Sequence, residues 1–196
     1  MTTTSFSQAC DWIRTRQSIY PGSYTGEAAS DEQIQQILLN ANTAPSHRHT
    51  EPWRFHVVTP AARAGFKAFF QELYTEVHPG ELYKERKYVK LGKRIEASSH
   101  ILIINMQRDQ KASVPEWEEV AAMGCAMQNI YLSLEPLGLG GYWSSPQYLI
   151  DNITDYIDLR EGERCMGLFY IGVRKEEIPQ AIVKRPIEEK VTWIRE

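Results

Sequence analysis

Apolar residues recur along this chain at two spacings, and the change from one to the other marks out its elements. Ile34, Ile37, Leu38 and Ala41 fall at i, i+3, i+4 and i+7, the spacing of one buried helix face. Ser30 with Gln33 three residues on reads as an N-cap and its capping-box partner. A helix over 31–43 follows, and Pro45, which has no backbone N–H to give, stops it. Phe55-His56-Val57-Val58-Thr59 then reads as a strand, as do the apolar runs His100–Asn105 and 165–173. Further helices are expected over Phe6–Gln17, 61–77, 81–98 and 117–135, with His78-Pro79-Gly80 separating the second of these from the third. Pro136 and the glycines at 138, 140 and 141 mark the end of the long helix. Tyr142-Trp143-Ser144 makes a short strand, and Pro146–Arg160 is helical in parts. The alternation is that of an α+β protein.

Composition narrows the function classes. A chain of 196 residues suits one domain over 1–196, and its 42% apolar and 24% charged residues are ordinary globular values. A net charge of −3 gives no footprint for nucleic acid or an anionic membrane. Lys84, Lys87, Lys90, Lys93 and Arg94 alternate with Glu81, Glu85 and Glu96, the pattern of a solvated helix face. No run approaches a membrane span and Met1–Cys10 has no apolar signal region, so a cytoplasmic setting is expected. Cys10, Cys125 and Cys165 are odd in number and show no CxxC spacing, which argues against a disulfide framework or a metal site. Cys125 reads as a small packed side chain.

The chemistry concentrates at the corner between the 31–43 helix and the next strand. Ser46, His47, Arg48, His49, Thr50 and Glu51 crowd donors and acceptors into one loop, a place to hold a polar planar ligand or simply a solvated turn. Ala44-Pro45-Ser46 with Pro52-Trp53-Arg54-Phe55 resembles the nitroreductase family. Arg16-Gln17-Ser18 resembles that family's phosphate-binding motif. Met123–Ile130 through Leu137–Trp143 resembles its central helix and the following Gly-Leu-Gly turn, and Val114-Pro115-Glu116-Trp117 resembles the helix entry of its small single-domain subgroup. Leu168–Val173 and Lys184-Arg185-Pro186 resemble its last core strand and its tail. The likeness runs from about residue 12 to 194, in the family's order.

That resemblance implies a central, mostly antiparallel sheet flanked by helices, with a domain-swapped C-terminal tail in a homodimer. It implies an FMN-dependent enzyme passing hydride from NADH or NADPH through flavin N5 to a small nitroaromatic or quinone acceptor, in ping-pong order. No Ser/His/Asp order, HExxH, P-loop or GxGxxG stands at a convincing place, and such an enzyme needs none, because the flavin carries the redox chemistry. The implied phosphate contacts are Arg16, Gln17 and Ser18, joined by Lys184 or Arg185 from the tail. Ser46, His47 and His49 are implied at the ring edge, Thr43 among the cofactor contacts, and Tyr142, Trp143, Ser144 and Ser145 along the turn whose main-chain N–H meets N5. On the residues alone, Arg16 also suits a surface arginine, His47 a loop histidine bonded to backbone, and 140–145 a helix cap leading into a strand. The chain departs from the family at His49 and Glu51, often Asn and Gln there, and at Tyr20, where many members carry a basic residue beside the ring. Which side chain serves the reduced N1 edge stays open, as does the choice of NADH or NADPH. A flavin-storage protein without turnover, and an FMN oxidase, dehydrogenase or dehalogenase on the same scaffold, are the alternative functions. The tail over 178–196 ends in Val191-Thr192-Trp193-Ile194, and the long helix carries Val120, Met123, Gly124, Met127, Ile130 and Tyr131. Both are more apolar than one chain requires and suit a two-fold dimer.

Overall fold

In the computed structural model, which describes residues 5–177 and 183–196, six helices and four strands alternate. Residues 178–182, the first part of the expected tail, lie outside the described residues, as do 1–4. The helices are α1 (Phe6–Thr15), α2 (Asp31–Ala41), α3 (Arg63–Val77), α4 (Glu85–Ala97), α5 (Glu116–Leu134) and α6 (Gln147–Asn152). The strands are β1 (Trp53–Val58), β2 (His100–Gln107), β3 (Leu139–Ser144) and β4 (Glu163–Val173), in one antiparallel sheet of order β1-β2-β4-β3. Capping boxes start both α1 (Ser5, Gln8) and α2 (Ser30, Gln33), each satisfying two orphan backbone donors.

Strand side chains alternate between two faces, which splits the core in two. Leu102, Ile104, Met106, Phe169 and Ile171 meet α2 and α5 on one face. Ile101, Ile103, Leu168 and Tyr170 meet α3, α4 and α6 on the other, with Phe66, Phe70, Ile95 and Leu149. Among the described residues no helix is long and apolar enough to cross a membrane.

Three expectations are corrected. The glycines at 140 and 141 do not stop a helix; they lie in β3, and Gly138, at φ +68°, makes the left-handed stop. Residues 80–82 form a separate 3-10 turn, so the charged helix begins only at Glu85. The long helix does not present one broad apolar surface. Met123, Met127 and Ile130 turn into the core, while Trp117, Val120, Ala121, Gly124 and Cys125 form an outward stripe, leaving Cys125 exposed rather than packed within the chain.

Candidate active site

The segment leaving α1 is pinned to the edge of the sheet. Ile19 N–H donates to Gly141 O at 2.9 Å, and the buried Tyr24 hydroxyl donates to Ile19 O at 2.8 Å. Burial raises the Tyr24 phenol well above its ordinary value, so it stays a donor. The approach requires glycine in β3. A Cβ on Gly140 would sit 2.7 Å from Ile19 Cβ, and one on Gly141 would sit 2.5 Å from Leu134 Cδ1.

So held, Arg16 and Ser18 converge on Tyr131 of α5. The Arg16 guanidinium lies 5.0 Å from the Tyr131 ring centroid, and Ser18 Oγ is 3.2 Å from the Tyr131 hydroxyl. That hydroxyl also accepts the Trp143 backbone N–H at 3.1 Å. Phe169 braces the Tyr131 ring edge-on at 4.8 Å. A recess of about 230 Å³ beside Arg16 and Gln17 includes Arg174, whose guanidinium lies 3.8 Å from Glu135. A second recess of about 530 Å³ is lined by Tyr131, Trp143, Ser145 and Met166. Ser144 closes β3 next to Ser145.

Tyr142 points to the opposite face of β3 from Trp143. Its ring lies against Tyr20 at 4.4 Å and Tyr170 at 6.2 Å, and the Arg94 guanidinium of α4 sits 5.8 Å over it. Tyr20 and Arg94 border a groove of about 1110 Å³.

The other expected contacts stand apart from this cluster. Thr43 donates to Asn40 O at 2.7 Å and accepts from the Asn129 side-chain amide at 3.3 Å, joining the end of α2 to α5. His47 pairs with Glu118 in the first turn of α5. Thirteen residues separate Glu118 from Tyr131 along α5, roughly 20 Å at 1.5 Å per residue. Within one chain the Ser46–His49 loop therefore does not reach the Arg16–Ser18 cluster. The loop itself is strained, with Arg48, His49 and Glu51 at φ between 43° and 54°. Ser46 Oγ accepts the Glu51 N–H at 3.2 Å and Arg54 donates to Glu51 O at 2.8 Å, bonds that hold the conformation. Lys184 and Arg185 lie on an exposed tail, and their side chains make no ion pair among the described residues.

Tyr131, Arg174 and Arg94 were not singled out as site residues by the pattern. Tyr131 reads as one more apolar position of a long helix and Arg94 as part of a solvated face, and Arg174 stands in no motif. None carries a local signal, because each matters only through residues far away in the chain.

The nitroreductase family model matches residues 13–173. YfhC of Bacillus subtilis (strain 168), named as a provisional NAD(P)H nitroreductase, is 27% identical over 184 residues, covering 93% of this chain and 92% of its own. The crystal structure of a nitroreductase-like family protein from Bacillus cereus superposes with a TM-score of 0.77 at 25% identity, covering 98% of this chain and 99% of that one. The FMN-dependent nitroreductase NfnB from Mycobacterium smegmatis, solved in complex with NADPH, shares the fold at a TM-score of 0.71 and 15% identity, covering 97% and 100% of the two chains. A match spanning most of the chain, on a fold whose edge strand receives the Arg16–Ser18 segment, makes this protein a member of the nitroreductase family.

Proposed function

We propose that this protein is an FMN-dependent oxidoreductase that uses NADH or NADPH to reduce small electron-poor acceptors of nitroaromatic or quinone type. The observation that carries the reading is the convergence on Tyr131 of Arg16 and Ser18 from one segment and the Trp143 backbone from another. The donor set suits FMN. A guanidinium fork and a hydroxyl match a dianionic phosphate, and β3 with glycines at 140 and 141 offers main chain that a planar ring can approach. NfnB, FMN-dependent and solved with NADPH, supports the same cofactor and reductant here. When bound, FMN supplies the redox chemistry, accepting hydride from the reduced nicotinamide and delivering it to the acceptor.

The residues of this chain bind and orient. Arg16, Gln17 and Ser18 hold the phosphate, with Arg174 adding positive potential in the same recess. The main chain from Tyr142 through Trp143, Ser144 and Ser145 borders the ring. Arg94 takes the charge role vacated at Tyr20, since it is the guanidinium set over the neighbouring Tyr142. Thr43, Ser46, His47 and His49 serve the site of a second copy. The outward stripe of Trp117, Val120, Ala121, Gly124 and Cys125 would pack against itself across a two-fold axis. With the two α5 helices antiparallel, such a contact turns the His47–Glu118 end of one toward the Tyr131 end of the other. Lys184 or Arg185 then reaches the phosphate from the tail of the dimer.

The test is the visible spectrum of purified protein, chromatography of the heat-released cofactor, and NAD(P)H oxidation with a nitroaromatic. Yellow protein releasing FMN and turning over is expected. FAD, or no flavin uptake, overturns the cofactor assignment; FMN without turnover with nitroaromatic or quinone overturns the enzyme assignment in favour of a storage role.

A further inference from the structure

α4 carries Arg86, Lys90, Lys93 and Arg94 at i, i+4, i+7 and i+8, which places all four on one helix face. Alternating glutamates predict that such a face neutralises itself in water. The structure sends the carboxylates elsewhere: Glu96 pairs with Lys67 of α3, and Glu85 accepts the Tyr83 hydroxyl at 2.7 Å. Among the described residues none of the four α4 cations forms an ion pair. They line the groove of about 1110 Å³ instead, opposite Tyr20, Pro21 and Gly22, with Lys175 at its rim and Glu85 as the one carboxylate of its lining. Lys175 is held there by a hydrogen bond to Gly22 O at 3.1 Å. A concave wall of five cations in a chain of net charge −3 is a local potential that the whole molecule does not share. The same groove offers aromatic surface, because Tyr20 is 52% exposed and its ring lies against Tyr142. Its lining shares no residue with the two recesses beside Tyr131; Tyr20 and Tyr142 link it along the chain to the candidate site, two residues after Ser18 and one before Trp143, on the opposite face of the edge strand β3.

We infer that this groove selects the electron acceptor, and that the preferred acceptor is an aromatic anion, a planar ring bearing a carboxylate, sulfonate or phosphate. The inference rests on the FMN-oxidoreductase reading for the acceptor's role, but the charge selectivity of the groove is a binding property that turnover is not needed to read. The ring packs on Tyr20 while the anionic group faces Lys90 and Lys93. A negative group gains from every wall cation, and a neutral isostere of the same ring gains only the aromatic contact.

The experiment uses the holoprotein and the double variant Lys90→Glu/Lys93→Glu, with para-nitrobenzoate and para-nitrobenzamide as probes. Binding is measured by titration calorimetry at low and high salt, flavin content by absorbance, and KM for each acceptor at saturating NADH. Wild type should bind the benzoate about tenfold more tightly than the benzamide, or about 1.4 kcal/mol. Added salt should narrow that gap. The double variant should lose the preference while keeping its flavin content, its melting temperature and its affinity for the benzamide. Equal affinities in wild type, or a preference that survives the charge reversal, overturn the proposal. A reversal that raises KM for NADPH relative to NADH and leaves the benzoate unaffected also overturns it, assigning the wall to the phosphate of the reductant. Absence of flavin or of turnover is a failure of the enzyme reading alone, and it is seen separately from the calorimetry.

Discussion

Replacing Gly140 by alanine tests the link between the packing of β3 and the candidate site. The added Cβ would lie 2.7 Å from Ile19 Cβ and 2.8 Å from Ile19 Cγ2, whereas ordinary contact begins near 3.4 Å. Ile19 must therefore retreat by about 0.7 Å. Its neighbours resist, since Ile19 N–H is bonded to Gly141 O and its carbonyl to the buried Tyr24 hydroxyl. Overpacking of this kind costs roughly 1–3 kcal/mol. At ~2–4 °C per kcal/mol for a chain of this size, the melting temperature should fall by several degrees. Cofactor affinity should fall further than stability alone explains. The retreat carries Ser18, one residue away, off the Tyr131 hydroxyl, and Arg16 with it. Loss of one charge-assisted contact is worth ~1.5–3 kcal/mol, so the FMN dissociation constant should rise about tenfold or more. Apoprotein titrated with FMN by fluorescence quenching gives the affinity, and calorimetry of the apoprotein gives the melting temperature. Gly65→Ala is the control: it sits inside α3 with nothing within 4 Å of an added Cβ, and should stabilise by about 0.5–1 kcal/mol without touching FMN binding. A destabilised Gly140→Ala variant that binds FMN as wild type does would refute the idea that β3 packing positions the phosphate ligands.

Three further outcomes are expected. Arg16→Ala should raise the FMN dissociation constant tenfold or somewhat more, and an unchanged value in the same titration would make Arg16 a surface arginine. Deleting residues 178–196 should abolish both the dimer and stoichiometric FMN, read by light scattering with flavin quantitation; a monomer that keeps its FMN removes the shared site. Hydrogen bonds from the Ser113 hydroxyl at 2.5 Å and the Ser113 backbone at 2.8 Å lower the Asp109 pKa. A folded pKa below the unfolded one stabilises the loop above the ordinary carboxylate range, and this is lost as pH falls through the folded value. Protection factors over 109–114, taken relative to the intrinsic exchange rate at each pH, should therefore fall on acidification, and an Asp109→Asn variant should show that lower protection already at neutral pH.

Elements whose signal is local were legible before any coordinates. The start of α2 is written in Ser30 and Gln33 and its buried face in Ile34, Ile37 and Ala41, all within one helix length. β2 is legible as an unbroken apolar run because both its faces are covered. The start of β3 was not, since Leu139-Gly140-Gly141 has little strand propensity. What makes it a strand is the crowding of Ile19, Leu134 and Phe169 against Cα atoms that can bear no side chain. The candidate site divides the same way. Arg16, Ser18, Trp143 and His47 stand in short motifs, so their positions along the chain could be read directly.

Their grouping could not be read. Arg16 and Ser18 meet Trp143 through Tyr131, more than a hundred residues from the first motif. His47 falls at the far end of α5 from that meeting point, although its motif belongs to the same resemblance. The α4 charges show the difference most plainly. Residue order alone intersperses Lys90, Lys93 and Arg94 with Glu85 and Glu96, and it puts Lys93 and Glu96 three apart, as neighbours on a helix. The packing of α4 against α3 offers Glu96 a different partner in Lys67, and the turn before α4 offers Glu85 the Tyr83 hydroxyl. Helix and strand periods, caps and motif positions are short-range properties and follow from the order of residues. Which charges cancel, which hydroxyl joins two motifs and which face is left open depend on contacts between distant segments, and those exist only once the chain has packed.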